Sequence, residues 1–245
     1  IFEQKNIDLE SFESYLIFGY IPQKNTLLKN VKKMLPGEIF IINTEDFSRR
    51  RYLIEKNFKE YSNNDQLDLN KNDLIASSIR EQLISDVPLG IFLSGGLDSS
   101  IIAYHVKRVK TDLKCYVSKY YGEDSERYNE DFEYANLLAK KLNLNLIDVS
   151  IDPNEKTFSD EFLSWASRLD QPQSNLTGFI TYKLFQSAAK DNIKVILTGD
   201  GSDEVFGGYK RYQNALILEK YKFLRLHPKF KNYYSFNKLL MYARV

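Results

Sequence analysis

The stretch IFLSGGLDSSIIAYHV, residues 91–106, passes from an apolar strand pattern through a glycine pair into an amphipathic helix pattern, with Asp98 set into the bend. Glycines let the backbone turn tightly and approach a ligand, and the free N–H groups at a helix start suit phosphate oxygens. Asp98 works against such a cradle. A carboxylate about 4 Å from a phosphate oxygen is repelled by roughly 4 kcal/mol per unit charge pair at an effective dielectric near 20. A bridging cation reverses that sign, and Mg2+, which prefers a carboxylate or two together with substrate phosphates and waters, is the natural choice. The alternative is that Asp98 and Ser99 cap the helix, as those residue types often do. The loop is not a Walker A motif, because no lysine follows the glycines, and it lacks the spacing of the dinucleotide fingerprint.

A second stretch, VILTGDGSDEVFGGYKRY at 195–212, places four glycines around Asp200, Asp203 and Glu204 just after another apolar run. Three acids so close repel one another. Either one binds metal and another does proton work, or all face water at a helix start, where the helix dipole favours them.

The elements that must position these loops follow from periodicity. Asn72 or Asp73 caps a helix whose apolar face carries Leu74, Ile75, Ile79 and Leu83. Strands are expected at 88–93, 113–118, 144–149 and 193–198, and helices near 98–109, 129–142, 159–169 and 177–190. The 129–142 helix repeats Phe132, Ala135, Leu138, Ala139 and Leu142 at three- and four-residue steps. Alternating strands and helices with fully apolar strands predict an α/β fold, a parallel twisted sheet with helices on both faces. In such sheets ligands bind beyond the carboxyl ends of the strands, and both glycine-rich loops leave strand ends. Upstream, residues 1–54 hold the β-like runs YLIFGYI and GEIFIIN, which read as a small β remnant of another module. Residues 55–72 are polar and read as a linker; an EF-hand in DQLDLNKND fails for want of the sixth-position glycine and closing glutamate. No internal repeat is evident.

Composition excludes several classes. The 245 residues, 43% hydrophobic, suffice for one large core without disulfides or structural metal. Lys plus Arg number 34 against 33 Asp plus Glu, so no global field points to nucleic acid or an anionic membrane. The single cysteine, Cys115 in LKCYVS, reads as a buried core thiol in a reducing compartment. No apolar run is long enough for a membrane span and no leader precedes Ile1, which predicts a cytoplasmic protein. The start at Ile1 and the stop at Val245 in mid-pattern look like those of an excised fragment.

The run Ser94, Gly95, Gly96, Leu97, Asp98, Ser99, Ser100 after an apolar strand resembles the pyrophosphate loop of the ATP pyrophosphatases, and in its full form that of the asparagine synthetases. The second stretch resembles that family's second motif, and LDQPQSNLTGFITYKLF from Leu169 falls where the family carries an acidic and proline element. The resemblance implies an adenine nucleotide alpha hydrolase-like fold and cleavage of ATP between its α and β phosphates. It implies that Ser94, Gly95, Gly96, Ser99 and Ser100 contact the pyrophosphate, and that Asp98 and Asp203 are catalytic carboxylates holding Mg2+. Asp200 takes the position of an acid that orients ammonia and accepts its proton; many relatives carry glutamate there, and a carboxylate one methylene shorter places its oxygens about 1 Å away, a shift that can cost roughly 10²-fold in rate. The backbone around Leu93, Ser118 and Gly199 would bind the base and ribose, unless these are only strand ends.

On this resemblance residues 1–54 are the end of a glutaminase domain, 73–212 the ATP pyrophosphatase domain and 213–245 a truncated helical part. Ile1 cannot serve as the first-residue cysteine a glutaminase of this type needs, so the chain is not expected to hydrolyse glutamine. Nothing after Tyr212 matches the family's downstream lysine motif. The basic, aromatic tail could suggest a single-stranded nucleic-acid surface, but helices packing on further residues is the stronger reading. The implied reaction is ATP-dependent amidation of aspartate to asparagine, with ATP and Mg2+ as cofactors, ammonia supplied from glutamine, no nucleic acid or membrane partner, and a homodimer for the full-length protein. Rival readings are a related amidotransferase acting on a sugar acid or forming a β-lactam, and a noncatalytic nucleotide-binding module. His105 and His227 lack partners at metal spacing, Trp165 with Phe162 and Leu169 reads as core, and Lys210 and Arg211 read as solvated.

Overall fold

The computed structural model describes residues 6–54, 70–123, 125–173 and 175–220. The linker up to position 69, the tail from 221 and His227 lie outside them. Nine helices and six strands follow in order among the described residues: α1 (Leu9–Phe18), β1 (Glu38–Ile42), β2 (Arg49–Leu53), α2 (Lys71–Gln82), β3 (Leu89–Phe92), α3 (Leu97–Lys107), β4 (Lys114–Tyr120), α4 (Ser125–Tyr128), α5 (Glu130–Leu142), β5 (Asn145–Ile151), α6 (Phe158–Ala166), α7 (Thr177–Lys190), β6 (Val195–Leu197), α8 (Ser202–Phe206) and α9 (Lys210–Lys220). The chain divides into two compact units. One comprises 1–78, 120–125 and 149–187; the other comprises 79–119, 126–148 and 188–245.

The fold class is the expected one. A four-stranded sheet has the order β5-β4-β3-β6, and β3 pairs in parallel with both β4 and β6. Successive strand residues face opposite sides, so burial of consecutive residues means cover on both faces. Leu89, Gly90 and Ile91 of β3 are all buried, as are Cys115, Tyr116 and Val117 of β4. Gly90 sits in a tight space, because a Cβ would meet the Ile196 and Ile193 side chains at 3.1 and 3.2 Å and the Lys114 carbonyl at 3.2 Å. On the second unit, α3 packs against β3 and α5. Helix α5 follows its predicted apolar spacing, with Ala135 and Ala139 buried and Asn143 closing it in the left-handed region. Near the amino ends of β4 and β6, the buried Tyr116 hydroxyl donates to Asp191 at 2.8 Å, and Lys114 pairs with the same carboxylate at 3.0 Å.

In the other unit, Phe158, Phe162 and Trp165 of α6 surround the buried Phe179 with ring centroids 5.3–5.7 Å away. Strands β1 and β2 form an antiparallel hairpin, as the GEIFIIN run predicts for its first strand. The buried Glu38 accepts from Lys24 at 2.7 Å, Arg51 at 2.5 Å and the Leu35 amide at 2.9 Å. The Lys24 hydrogen bond, with the Leu35 amide and Arg51, holds its carboxyl down at about 2.

One expectation is corrected here. YLIFGYI is not strand-like: its first four residues complete α1. Asp8 caps that helix by accepting from the Ser11 amide, and Gly19, at φ 77°, ends it in the left-handed region. Two end signals outside the apolar run outweigh the β propensity within it. Of the face predicted for α2, Ile79 and Leu83 are buried, whereas Leu74 is half exposed.

Candidate active site

The strand order creates the site. From β3 the chain steps outward through β4 and β5, then returns as β6 on the other side of β3. A sheet that reverses this way opens a crevice beyond the carboxyl ends of the two strands that part, here β3 and β6. The two glycine-rich loops leave those two ends.

Leu93, fully buried, carries the β3 pairing one residue further by donating its amide to the Tyr116 carbonyl at 2.9 Å. The loop then knits itself together through serines. The Ser94 amide donates to Ser99 Oγ at 3.2 Å, the two hydroxyls lie 3.0 Å apart, and the Gly96 amide reaches Ser94 Oγ at 3.4 Å. The Ser99 and Ser100 hydroxyls both donate to the Gly96 carbonyl, at 3.2 and 2.7 Å. Ser99 is buried within this network, while Ser94 and Gly96 stay exposed. Gly96 is the N-cap of α3 and no side chain caps it. Neither Asp98 nor Ser99 therefore serves as the cap, and the first-turn N–H groups of α3 lack a capping side chain.

Gly95 fixes how the loop sits. It has φ 76°, and a Cβ there would fall 2.2 Å from the Asp131 carbonyl oxygen and 3.0 Å from the Ala135 nitrogen. The first turn of α5 is thus the floor of the loop. Asp131 itself is held above its ordinary carboxylate range by burial and by the neighbouring Glu130.

The β6 loop comes equally close. A Cβ on Gly199 would lie 3.0 Å from Asp98 Cβ and 3.2 Å from the Ser99 nitrogen, so the two strand ends touch at this glycine. The Asp98 carboxyl is raised above its ordinary value, first by burial and then by the charge of Asp203. Asp203 lies in the first turn of α8, whose N-cap is Gly201 in the left-handed region. Asp200 is exposed, and the Thr198 hydroxyl donates to its Oδ2 at 2.8 Å. Ser118 lies on β4, two residues before its end and half-buried; the next residue, Lys119, places its amine 4.7 Å from the centre of the Phe132 ring.

Asp98, Ser99, Gly199 and Asp203 are thus brought together, with Ser94, Gly95, Gly96 and Ser100 on the adjoining turn. Thr198 and Tyr209 join the neighbourhood without having been singled out. Tyr209 donates its hydroxyl to Glu204 at 3.1 Å, and that bond, with burial and the charges of Glu204 and Asp203, raises its ionisation. Arg211 stacks on Tyr209 and Tyr212, 4.1 and 5.5 Å from the ring centres. The one available signal for Thr198 was its position directly after a strand and two residues before an acid. Among the described residues no group of three or more His, Cys, Asp and Glu side chains converges as a metal cage. The donor set suits a hard cation instead: a carboxylate that burial and a like charge make costly to ionise is relieved by a divalent ion, and the uncapped N–H groups of α3 are donors suited to an anion.

The chain is thus a parallel α/β protein with two glycine-rich, acid-bearing loops at the strand ends that flank its switch point. More particularly, the chain belongs to the asparagine synthase family, whose model matches residues 71–244. It is 31% identical over 217 residues to asparagine synthetase (glutamine-hydrolysing) 1 of Bacillus subtilis, covering 88% of this chain and 33% of that one. It is 35% identical over 169 residues to synthetase 2 of the same organism, covering 66% of this chain and 22% of that one. It is also 24% identical over 255 residues to the amidase chry2 of Gibberella zeae, covering 89% of this chain and 37% of that one. The chain spans roughly a fifth to two-fifths of the length of these curated relatives. Among the described residues no helix is long and apolar enough to cross a membrane.

Proposed function

We propose that this chain supplies the ATP site of an enzyme that amidates the side-chain carboxylate of aspartate, giving asparagine, AMP and pyrophosphate. The observation that carries the reading is the closure of the β3 and β6 loops on each other, with Gly199 against Asp98 and the Asp98 carboxyl sensing Asp203. In this reading the uncapped start of α3, with Ser94, Gly95, Gly96 and Ser100, receives the pyrophosphate, and buried Ser99 braces the loop. Asp98 and Asp203 would hold Mg2+, which when bound neutralises the charge on the phosphates. The backbone at Leu93, Ser118 and Gly199 takes the base and ribose. An oxygen of the acid attacks the α-phosphorus, the α–β bridging bond breaks, and pyrophosphate leaves with that electron pair. Ammonia then attacks the acyl carbon, AMP departs, and Asp200, fixed by Thr198, accepts the proton ammonia loses. Catalysis is mainly positioning and charge neutralisation. Residues 73–212 would form the pyrophosphatase domain and 1–54 the end of an amide-hydrolysing one that provides the ammonia.

The test is pyrophosphate release by the full-length protein, measured with ATP, Mg2+, ammonia and one acid at a time. Release that requires aspartate and Mg2+ supports the proposal. Release with another carboxylic acid but not aspartate supports a second reading, amidation of a different acid. ATP binding without release under any acid would overturn both in favour of a noncatalytic nucleotide-binding module.

A further inference from the structure

Helix α8 is only five residues long, and the chain turns back immediately after it. The amides of Gly207 and Gly208 both donate to the carbonyl of Asp203, the latter at 3.0 Å. Those two hydrogen bonds to one carbonyl lay the Cα of Gly208 against the Asp203 side chain. A Cβ on Gly208 would lie 1.9 Å from Asp203 Oδ1 and 3.0 Å from its Cγ, with the Asp203 Cα next at 3.4 Å. The two glycines differ in what they require. Gly207 has φ 70° with nothing within 4 Å of a Cβ, so its constraint is conformational. Gly208 is outside the left-handed region, and its constraint is the space taken by the Asp203 carboxylate.

We infer that Gly208 is a positioning residue: its missing side chain leaves the space that the Asp203 carboxylate occupies. The inference rests on the reading of Asp203 as a magnesium carboxylate. An alanine at 208 has no backbone conflict, and the atom it displaces is the far end of a flexible side chain. Asp203 must turn about its χ angles while α8 and its closing hydrogen bonds remain. The consequence is a change in metal affinity without a change in fold, because groups that orient a metal ligand typically alter affinity by roughly 10–100-fold when removed. On the other strand end, Gly199 stands in a related position beside Asp98, but there the neighbour is a Cβ and a backbone nitrogen, which cannot swing aside.

The experiment compares wild type with Gly208→Ala, Gly207→Ala and Asp203→Asn in the full-length protein. It reads thermal unfolding, ATP affinity by calorimetry with and without Mg2+, and the Mg2+ concentration for half-maximal pyrophosphate release. Expected for Gly208→Ala is an unfolding temperature like that of wild type, unchanged metal-free ATP affinity, and a Mg2+ requirement raised roughly 10–100-fold. Gly207→Ala should lower the unfolding temperature and leave the Mg2+ requirement alone. A wild-type Mg2+ requirement in Gly208→Ala, alongside its loss in Asp203→Asn, overturns the inference and leaves the proposed function standing. Failure of Gly208→Ala to fold also overturns it, since only a carboxylate is expected to move. A wild-type Mg2+ requirement in Asp203→Asn overturns the role of Asp203 and the inference with it.

Discussion

Replacing Gly95 by alanine tests the packing on which the phosphate loop stands. The new methyl carbon would fall 2.2 Å from the Asp131 carbonyl oxygen, with the Ala135 nitrogen and Tyr134 Cβ each at 3.0 Å. A carbon needs roughly 3.3 Å from such an oxygen, so the loop or the start of α5 must retreat by about 1 Å. Two of the three obstacles are backbone of a packed helix and the third is a Cβ, so none can rotate away. The residue also holds φ 76°, which costs an ordinary L residue about 1–2 kcal/mol. Overpacking adds about 1–3 kcal/mol, for a total loss of about 2–5 kcal/mol in urea denaturation. A misplacement of about 1 Å at the reacting phosphate should lower pyrophosphate release by roughly 10²-fold. Gly96→Ala is the control, because its φ is −70° and its methyl would meet only Ser94 Oγ at 3.4 Å. It should unfold within about 0.5 kcal/mol of wild type and yet bind ATP more weakly, since the methyl projects from the exposed side of the turn. A Gly95→Ala protein with wild-type stability and ATP affinity would refute the account of how α5 supports the loop.

Three further outcomes concern ionisable groups. Asp98→Asn should raise the metal-free unfolding temperature: burial and Asp203 hold this carboxyl above its ordinary range, so its ionisation penalises the fold above the raised value, and the penalty disappears below the ordinary one. Acid denaturation should show the opposite sign at Glu38, whose carboxyl is lowered from 4.5 to about 2; its stabilisation is complete above 4.5, declines as pH falls toward 2, and should be absent from the profile of Glu38→Gln. Cys115 should resist thiol reagents at pH 8 until the protein is unfolded, because it is fully buried and burial pushes its thiol up to about 12.

Much of the fold was legible because its elements announce themselves locally. The α5 stripe of Ala135, Leu138, Ala139 and Leu142 needs no tertiary information, and the consecutive apolar residues of β3 and β4 signal cover on both faces. The segment from Tyr15 to Ile21 misled because four apolar residues in a row carry no period, and the helix they finish is decided by Asp8 and Gly19 beyond them. Residue types and strand ends singled out the two loops of the candidate site, and the strand order explains why they meet. What spacing could not convey is contact across the chain. Gly95 reads as a phosphate glycine, yet its tightest neighbour is Asp131, 36 positions later. Gly208 reads as a turn residue, and only the reversal after α8 brings it against Asp203. Ser99 is buried, and its hydroxyl accepts from the Ser94 amide and donates to the Gly96 carbonyl, contacts that spacing does not convey.

The central claim is that Asp98 and Asp203 share one ion against the nucleotide, and a double-mutant cycle on ATP binding tests it most directly. ATP would be titrated into wild type, Asp98→Asn, Asp203→Asn and the double variant, each with and without Mg2+. Two carboxylates on one ion are strongly coupled, so each single change should remove most of the gain in affinity that Mg2+ confers, and the double change should remove little more. Losses that simply add, or a gain that survives in both single variants, would contradict the claim.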